Sequence, residues 1–194
     1  MWVRGTAIRP VPGYAKIAPP VLASLKGWLG ESDDERVRGD LDQAFERFER
    51  EQPVLSAHVG DVLAGPLDET ALALGYFLTL VVWICFERAH RGRLDTVTAE
   101  AVRATEELLT LDEQLRSADP AEAVDTDDVV AMEQPTLLAL VHEHIDATLD
   151  SHAEAIDVDD VDVVYRLVLV EILALSYAVR QPVGYPVAKT EMLA

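Results

Sequence analysis

One cysteine, Cys85, stands among 194 residues, so no disulfide can form within the chain, and its place in the apolar run 77–86 marks a buried structural thiol. Lysine is scarce too, with Lys16, Lys26 and Lys189 against 13 arginines. The 16 basic residues face 35 acidic ones, a net charge of −19. Such a field repels nucleic-acid phosphates and anionic membrane surfaces and disfavours both as partners.

An uninterrupted apolar stretch of membrane length is also missing. The run 71–86 has 16 residues between Glu69 and Glu87, short of the roughly 20 that a bilayer needs. The run 161–179 is long enough but contains Arg166 and Glu171. Both are predicted to be central helices of a soluble bundle, buried on most faces, with Arg166 and Glu171 requiring partners there. Residues Met1 to Gly5 lack the apolar stretch and cleavage site of a secretory signal, which makes a cytoplasmic location the expectation.

The familiar catalytic signatures are absent. No phosphate-cradling G-x-x-x-x-G-K-[ST], dinucleotide G-x-G-x-x-G, G-x-S-x-G elbow, H-E-x-x-H or paired C-x-x-C occurs. Asp157, Asp159, Asp160 and Asp162 do not make a calcium loop, because Asp162 stands where glycine is needed and Val168 where glutamate is needed. They suit the N-terminus of a helix instead.

The residues that are present predict an all-α single domain over 1–194, a bundle of six to eight helices. Pro10, Pro12, Pro19 and Pro20 with Gly5 and Gly13 make residues 1–18 an extended arm on the surface. A short helix from Pro20 ends at Gly30, and Ser32-Asp33-Asp34-Glu35 forms a capping box for a helix to about residue 51. Val37, Leu41, Phe45 and Phe48 give that helix one apolar stripe. Further helices are expected from Pro53 to before Gly65-Pro66, over 67–90, from Asp95 or Thr96 to about 119 with Val102, Leu108, Leu109 and Leu115 inward, over 134–150, and over 157–180. Residues 182–194, with Pro182, Gly184 and Pro186, read as an irregular tail. No segment alternates with the two-residue period of a strand.

Residues 51–59, EQPVLSAHV, align without gaps on 133–141, EQPTLLALV, with six of nine positions identical. With an insertion around 151–157, the match extends to pair Tyr76–Glu87 with Tyr165–Ser176. This predicts a duplicated hairpin of a short and a long helix, units 53–92 and 135–180, with pseudo-two-fold symmetry and the two long helices packed at the centre. Each Gln-Pro pair suits a helix start, with proline in the first turn and the glutamine available to unpaired backbone groups.

Between Arg116 and Arg166 lie 49 residues without Lys or Arg, holding 14 of the 35 acids and three of the five histidines. The acidic surroundings of His142, His144 and His152 predict raised pKa values. On the helix through them Leu138, Val141, Ile145 and Leu149 form the core stripe. His142 and Asp146, four apart, share a face, as do Glu87 and His90 in an E-x-x-H spacing near the end of the 67–90 helix. Together Glu87, His90, His142 and Asp146 are a candidate site for a divalent transition metal such as Fe, Mn or Zn. The plainer reading of E-x-x-H is two residues facing water. His58, beside Leu55, Val59 and Val62, reads as a hydrogen-bonded core histidine. A candidate apolar pocket between the repeats would gather Tyr76, Trp83, Tyr165 and Arg166, although such aromatics also serve as core.

Three functions follow from these residues. The leading one is a non-catalytic interaction or regulatory protein with an acidic surface, self-associating as a homodimer or taking a protein partner. The others are a metal-dependent helical-bundle enzyme and a small-molecule binder.

Overall fold

The computed structural model describes residues 7–31, 34–118, 130–131, 133–152 and 156–185. Among them are seven α-helices and no strand. Helix α1 (Pro19–Glu31) opens with the two prolines, whose fixed φ suits a first turn, and turns Leu22 and Leu25 inward. Helix α2 (Asp34–Glu51) buries Ala44 and Phe48, with Val37, Leu41 and Phe45 half-buried beside them. Helix α3 (Pro53–Leu63) starts at Pro53, and α4 (Glu69–Ala89) is capped by the Asp68 carboxylate, which accepts from the Thr70 and Ala71 amides at 2.8 Å. Thr98 caps α5 (Ala99–Ala118), α6 (Pro135–His152) begins at Pro135, and Asp157 caps α7 (Val158–Ala178) by accepting from the Asp159 amide.

The nearly continuous apolar sequences of α4 and α7 are matched by burial on most faces, because each is surrounded. Helix α4 packs on α7 and also on α1, α2, α3 and α6, while α5 lies along α7. The central pair runs parallel. At its start the Asp68 amide donates to Asp160 and the Asp157 amide to Asp68; at its end the Asp95 amide donates to the Ala178 carbonyl and the Arg180 amide to that of Arg93. Gly75 is where α4 comes closest to its neighbours, since a Cβ there would lie 2.6 Å from Leu63 Cδ2 and 3.2 Å from a Val164 methyl.

Both Gln-Pro glutamines are buried, and neither caps its own helix. Gln52 accepts from the Val97 amide at 2.7 Å and donates to the Asp95 carbonyl at 3.0 Å. Gln134 accepts from the Ile17 amide at 2.9 Å and donates to the Ala15 carbonyl at 3.0 Å and to Ser176 Oγ. In each case one side-chain amide substitutes for a strand partner by pairing with the C=O of one residue and the N–H two further on. The segments so held, 15–17 and 95–97, precede α1 and α5.

Several expectations are corrected. The N-terminal arm is not simply laid on the surface: Ile8, Val11, Ala15 and Ile17 are core residues, and Gly13–Ala15 form one 3-10 turn. Helix α4 extends beyond the apolar run to 21 residues and is long and apolar enough by length and composition to cross a membrane, with 67% of its most apolar window buried in the fold. Helix α6, with 18 residues, is only three shorter than α7, whereas α3, with 11, is ten shorter than α4, so the second unit is not a short helix followed by a long one. Helix α5 buries Val102, Thr105, Leu109 and Asp112, a line three and four residues apart, and this leaves Leu115 outside rather than in the core. The capping box at Ser32 and Asp33, the helix end near Asp119-Pro120 and the tail beyond 185 lie outside the described residues.

Candidate functional site

The four candidate metal ligands have separate duties. Both Glu87 oxygens accept from Arg47 of α2, at 2.7 Å from Nε and 3.1 Å from Nη2, a bidentate pair with the carboxylate largely covered. His90, buried, donates from Nε2 to the Ala15 carbonyl at 3.2 Å and accepts at Nδ1 from Arg93 at 3.1 Å. That arrangement requires neutral imidazole, and burial, with Arg93 adding to it, lowers the His90 pKa. His142 Nε2 is bonded to the Tyr165 hydroxyl at 2.8 Å, and Asp146 is exposed on α6. Among the described residues no three His, Cys, Asp or Glu side chains form a group that could hold a metal. Glu87, His90, His142 and Asp146 are therefore not brought together as a ligand set.

The candidate pocket residues are likewise dispersed. Tyr76 is exposed at a shallow cleft of about 310 Å³ with Phe45, Pro53 and Val59. Trp83 is buried with its ring 5.4 Å from that of Phe48. Tyr165 packs on His142, and Arg166 turns to α5, bonded to Glu113 and to Thr110 Oγ1 at 2.8 Å. These four do not line one cavity.

The acidic field does not raise the pKa of His144 as expected. His144 is lowered because burial, against Phe77 at 4.8 Å between rings, outweighs the nearby Glu143. His152, the last residue of α6, is exposed. His58 is largely covered and lies 3.7 Å from Glu106 of α5. Glu171 is fully buried, and neither oxygen has a hydrogen-bond partner among the described residues.

What the structure leaves outward is one face of α5. Ala101, Ala104, Leu108, Leu111 and Leu115 recur at alternating spacings of three and four, the a/d seam of a coiled coil. This line is rotated about a third of a turn from the buried one through Val102 and Leu109. Leu111 is 47% and Leu115 51% exposed, Ala104 is exposed, and Ala101 and Leu108 are half-buried. A depression of about 390 Å³ beside Leu111 is edged by Arg103, Arg166, Glu106 and Glu107. Where α5 begins, Ala101, Ala104 and Leu108 instead wall a groove of about 520 Å³ against the end of α7. The seam is legible in the sequence as a heptad, but the expected inward set Val102, Leu108, Leu109 and Leu115 combines residues of both apolar lines.

No protein-family model, no curated protein and no solved structure matches the chain.

Proposed function

We propose that the protein acts by binding rather than by catalysis, and that it binds a second copy of itself through Leu108, Leu111 and Leu115 of α5. The observation that carries this reading is the heptad-spaced apolar seam left exposed on a helix whose other face is in the core. The seam's flanks favour a second copy over another acidic surface. Arg103 pairs with Glu107 along α5 and Arg166 with Glu113, so the edge of the seam carries both signs rather than the acid excess of the chain, which suits a second copy with the same mixture. The antiparallel pairing of α5 with α7 that puts Arg166 on Glu113 also brings the exposed Val163, one turn earlier, to the level of Leu115 and widens the patch. The metal-dependent reading has no such support.

Sedimentation equilibrium tests the proposal. Wild type is expected to be a dimer, and Leu111→Asp/Leu115→Asp a monomer with unchanged helix content. A monomeric wild type, or a variant that still dimerises, would refute it.

The duplicated hairpin with pseudo-two-fold symmetry belongs to the same proposal. It is supported by the reciprocal glutamines, each at the start of one unit and gripping the segment that leads into the other's flanking helix. The parallel α4 and α7, both 21 residues long and both capped by aspartate, support it too.

A further inference from the structure

The C-terminal ends of α4 and α7 lie together, and arginines gather around them: Arg88 in the last turn of α4, Arg91 and Arg93 after it, and Arg180 after α7. The arm adds Arg9, whose guanidinium stacks over the Tyr177 ring at 4.5 Å while the Tyr177 hydroxyl donates to the Arg9 carbonyl at 2.6 Å. Arg9 has no carboxylate partner among the described residues, in a chain of net charge −19. The 520 Å³ groove between α5 and α7 opens at this end. Its polar edge includes Arg9, Tyr177, Arg180 and Gln181 with Thr96 and Thr98, and the one acid in its lining, Asp95, is already engaged by Arg180 at 3.0 Å. Its apolar wall is Ala101, Ala104, Leu108 and Ala174, where four small or branched side chains leave the space open.

We propose that this groove binds a small carboxylate with an apolar body, the charged group at Arg9, beside Arg180 whose Nε and Nη2 already bond Asp95 and the Gly92 carbonyl, and the body along the alanine-lined wall. The chemistry of both ends selects this class. A guanidinium without an acid partner favours an anion, and a carboxylate matches its planar fork. The wall offers apolar contact and few donors, so an anion without an apolar part would leave it unused, and an alcohol of the same length would leave the arginines unused. The site goes beyond the α5 docking face: it shares Ala101, Ala104 and Leu108 with the seam but not Leu111 or Leu115, and requires no association.

Titration calorimetry on the full chain tests it, with octanoate as the probe, octan-1-ol as the uncharged body and inorganic phosphate as the bare anion. Octanoate is expected to bind saturably with one equivalent, and the other two at least about tenfold more weakly. Arg9→Gln should weaken octanoate about tenfold. Ala104→Trp, an exposed position where the indole would fill the groove, should abolish binding with helix content unchanged. The Leu111→Asp/Leu115→Asp chain should bind octanoate as wild type does, so that failure of self-association and failure of this site are told apart. No saturable octanoate binding, equal affinity for octan-1-ol, or undiminished binding by Ala104→Trp would overturn the proposal.

Discussion

Glu171 sits midway along α7 with its carboxyl buried in the interface with α4, near Thr79, and the Thr79 hydroxyl and the Trp83 indole nitrogen one turn on are also buried without a partner. Desolvation raises its pKa well above the ordinary glutamate range. The sign for stability follows from linkage. In the unfolded chain this group loses its proton near pH 4–5, roughly the usual carboxyl range, whereas the folded chain keeps it to higher pH. Its contribution is fully present below that range and is lost as pH rises towards the raised folded value, by at most about 1.4 kcal/mol per pH unit. Glu171→Gln removes the titration while keeping the shape. Its stability relative to wild type should therefore increase between about pH 5 and 8 in urea unfolding, and a pH-independent difference would show that the carboxyl is not held protonated. Little of this was readable from sequence beyond Glu171's need for a partner. Similarly, Glu87 read as a ligand because its partner Arg47 is 40 residues away, and His90 because the Ala15 carbonyl at its Nε2 is 75 residues away, although Arg93 at its Nδ1 is only three residues on.

At the scale of elements, the helices themselves were legible. Pro53, Pro135, Asp157 and the stripe ending at Phe48 act within one or two turns, and the structure keeps them. Contacts between distant segments were not. The Gln-Pro glutamines looked like local helix starters, yet each holds an extended segment: Gln52 bonds the Asp95 C=O and the buried Val97 N–H, and Gln134 bonds the buried Ile17 N–H and shares the Ala15 C=O with His90. Truncating Gln52 leaves the buried Val97 N–H without its partner and truncating Gln134 does the same to the Ile17 N–H, so Gln52→Ala and Gln134→Ala should each lose about 1–3 kcal/mol in urea unfolding. A loss below about 0.5 kcal/mol, the size of an ordinary surface change, would contradict the role given to them. The orientation of α5 was illegible for the same reason: Thr105 and Asp112 face inward, Asp112 accepting from the Ala7 amide of the arm at 3.2 Å, and this tertiary contact turns Leu111 and Leu115 out.

Across the whole molecule, the linear charge asymmetry becomes a spatial one. Asp68, Glu69, Asp157, Asp159 and Asp160 surround the N-termini of the parallel central pair, and arginines surround its C-termini, complementing two helix dipoles that point the same way. The sequence showed the segment without basic residues but not that its acids would meet those of α4. A net charge of −19 on each copy opposes association over long range. Raising salt from about 0.05 to 0.5 M should therefore tighten the dimer in sedimentation; weakening would mean that the Arg103 and Arg166 pairs outweigh net repulsion.

The seam on α5 is tested most directly by cross-linking. Cys85 is buried with its thiol pushed up to about 12, chiefly by desolvation, so a second cysteine at an exposed position is the only reactive thiol. With a short bismaleimide, Leu111→Cys is expected to give a covalent dimer in high yield and Glu49→Cys, on the far helix α2, to remain monomeric. Equal cross-linking of the two, or none at Leu111→Cys, would contradict docking of one copy on another through α5.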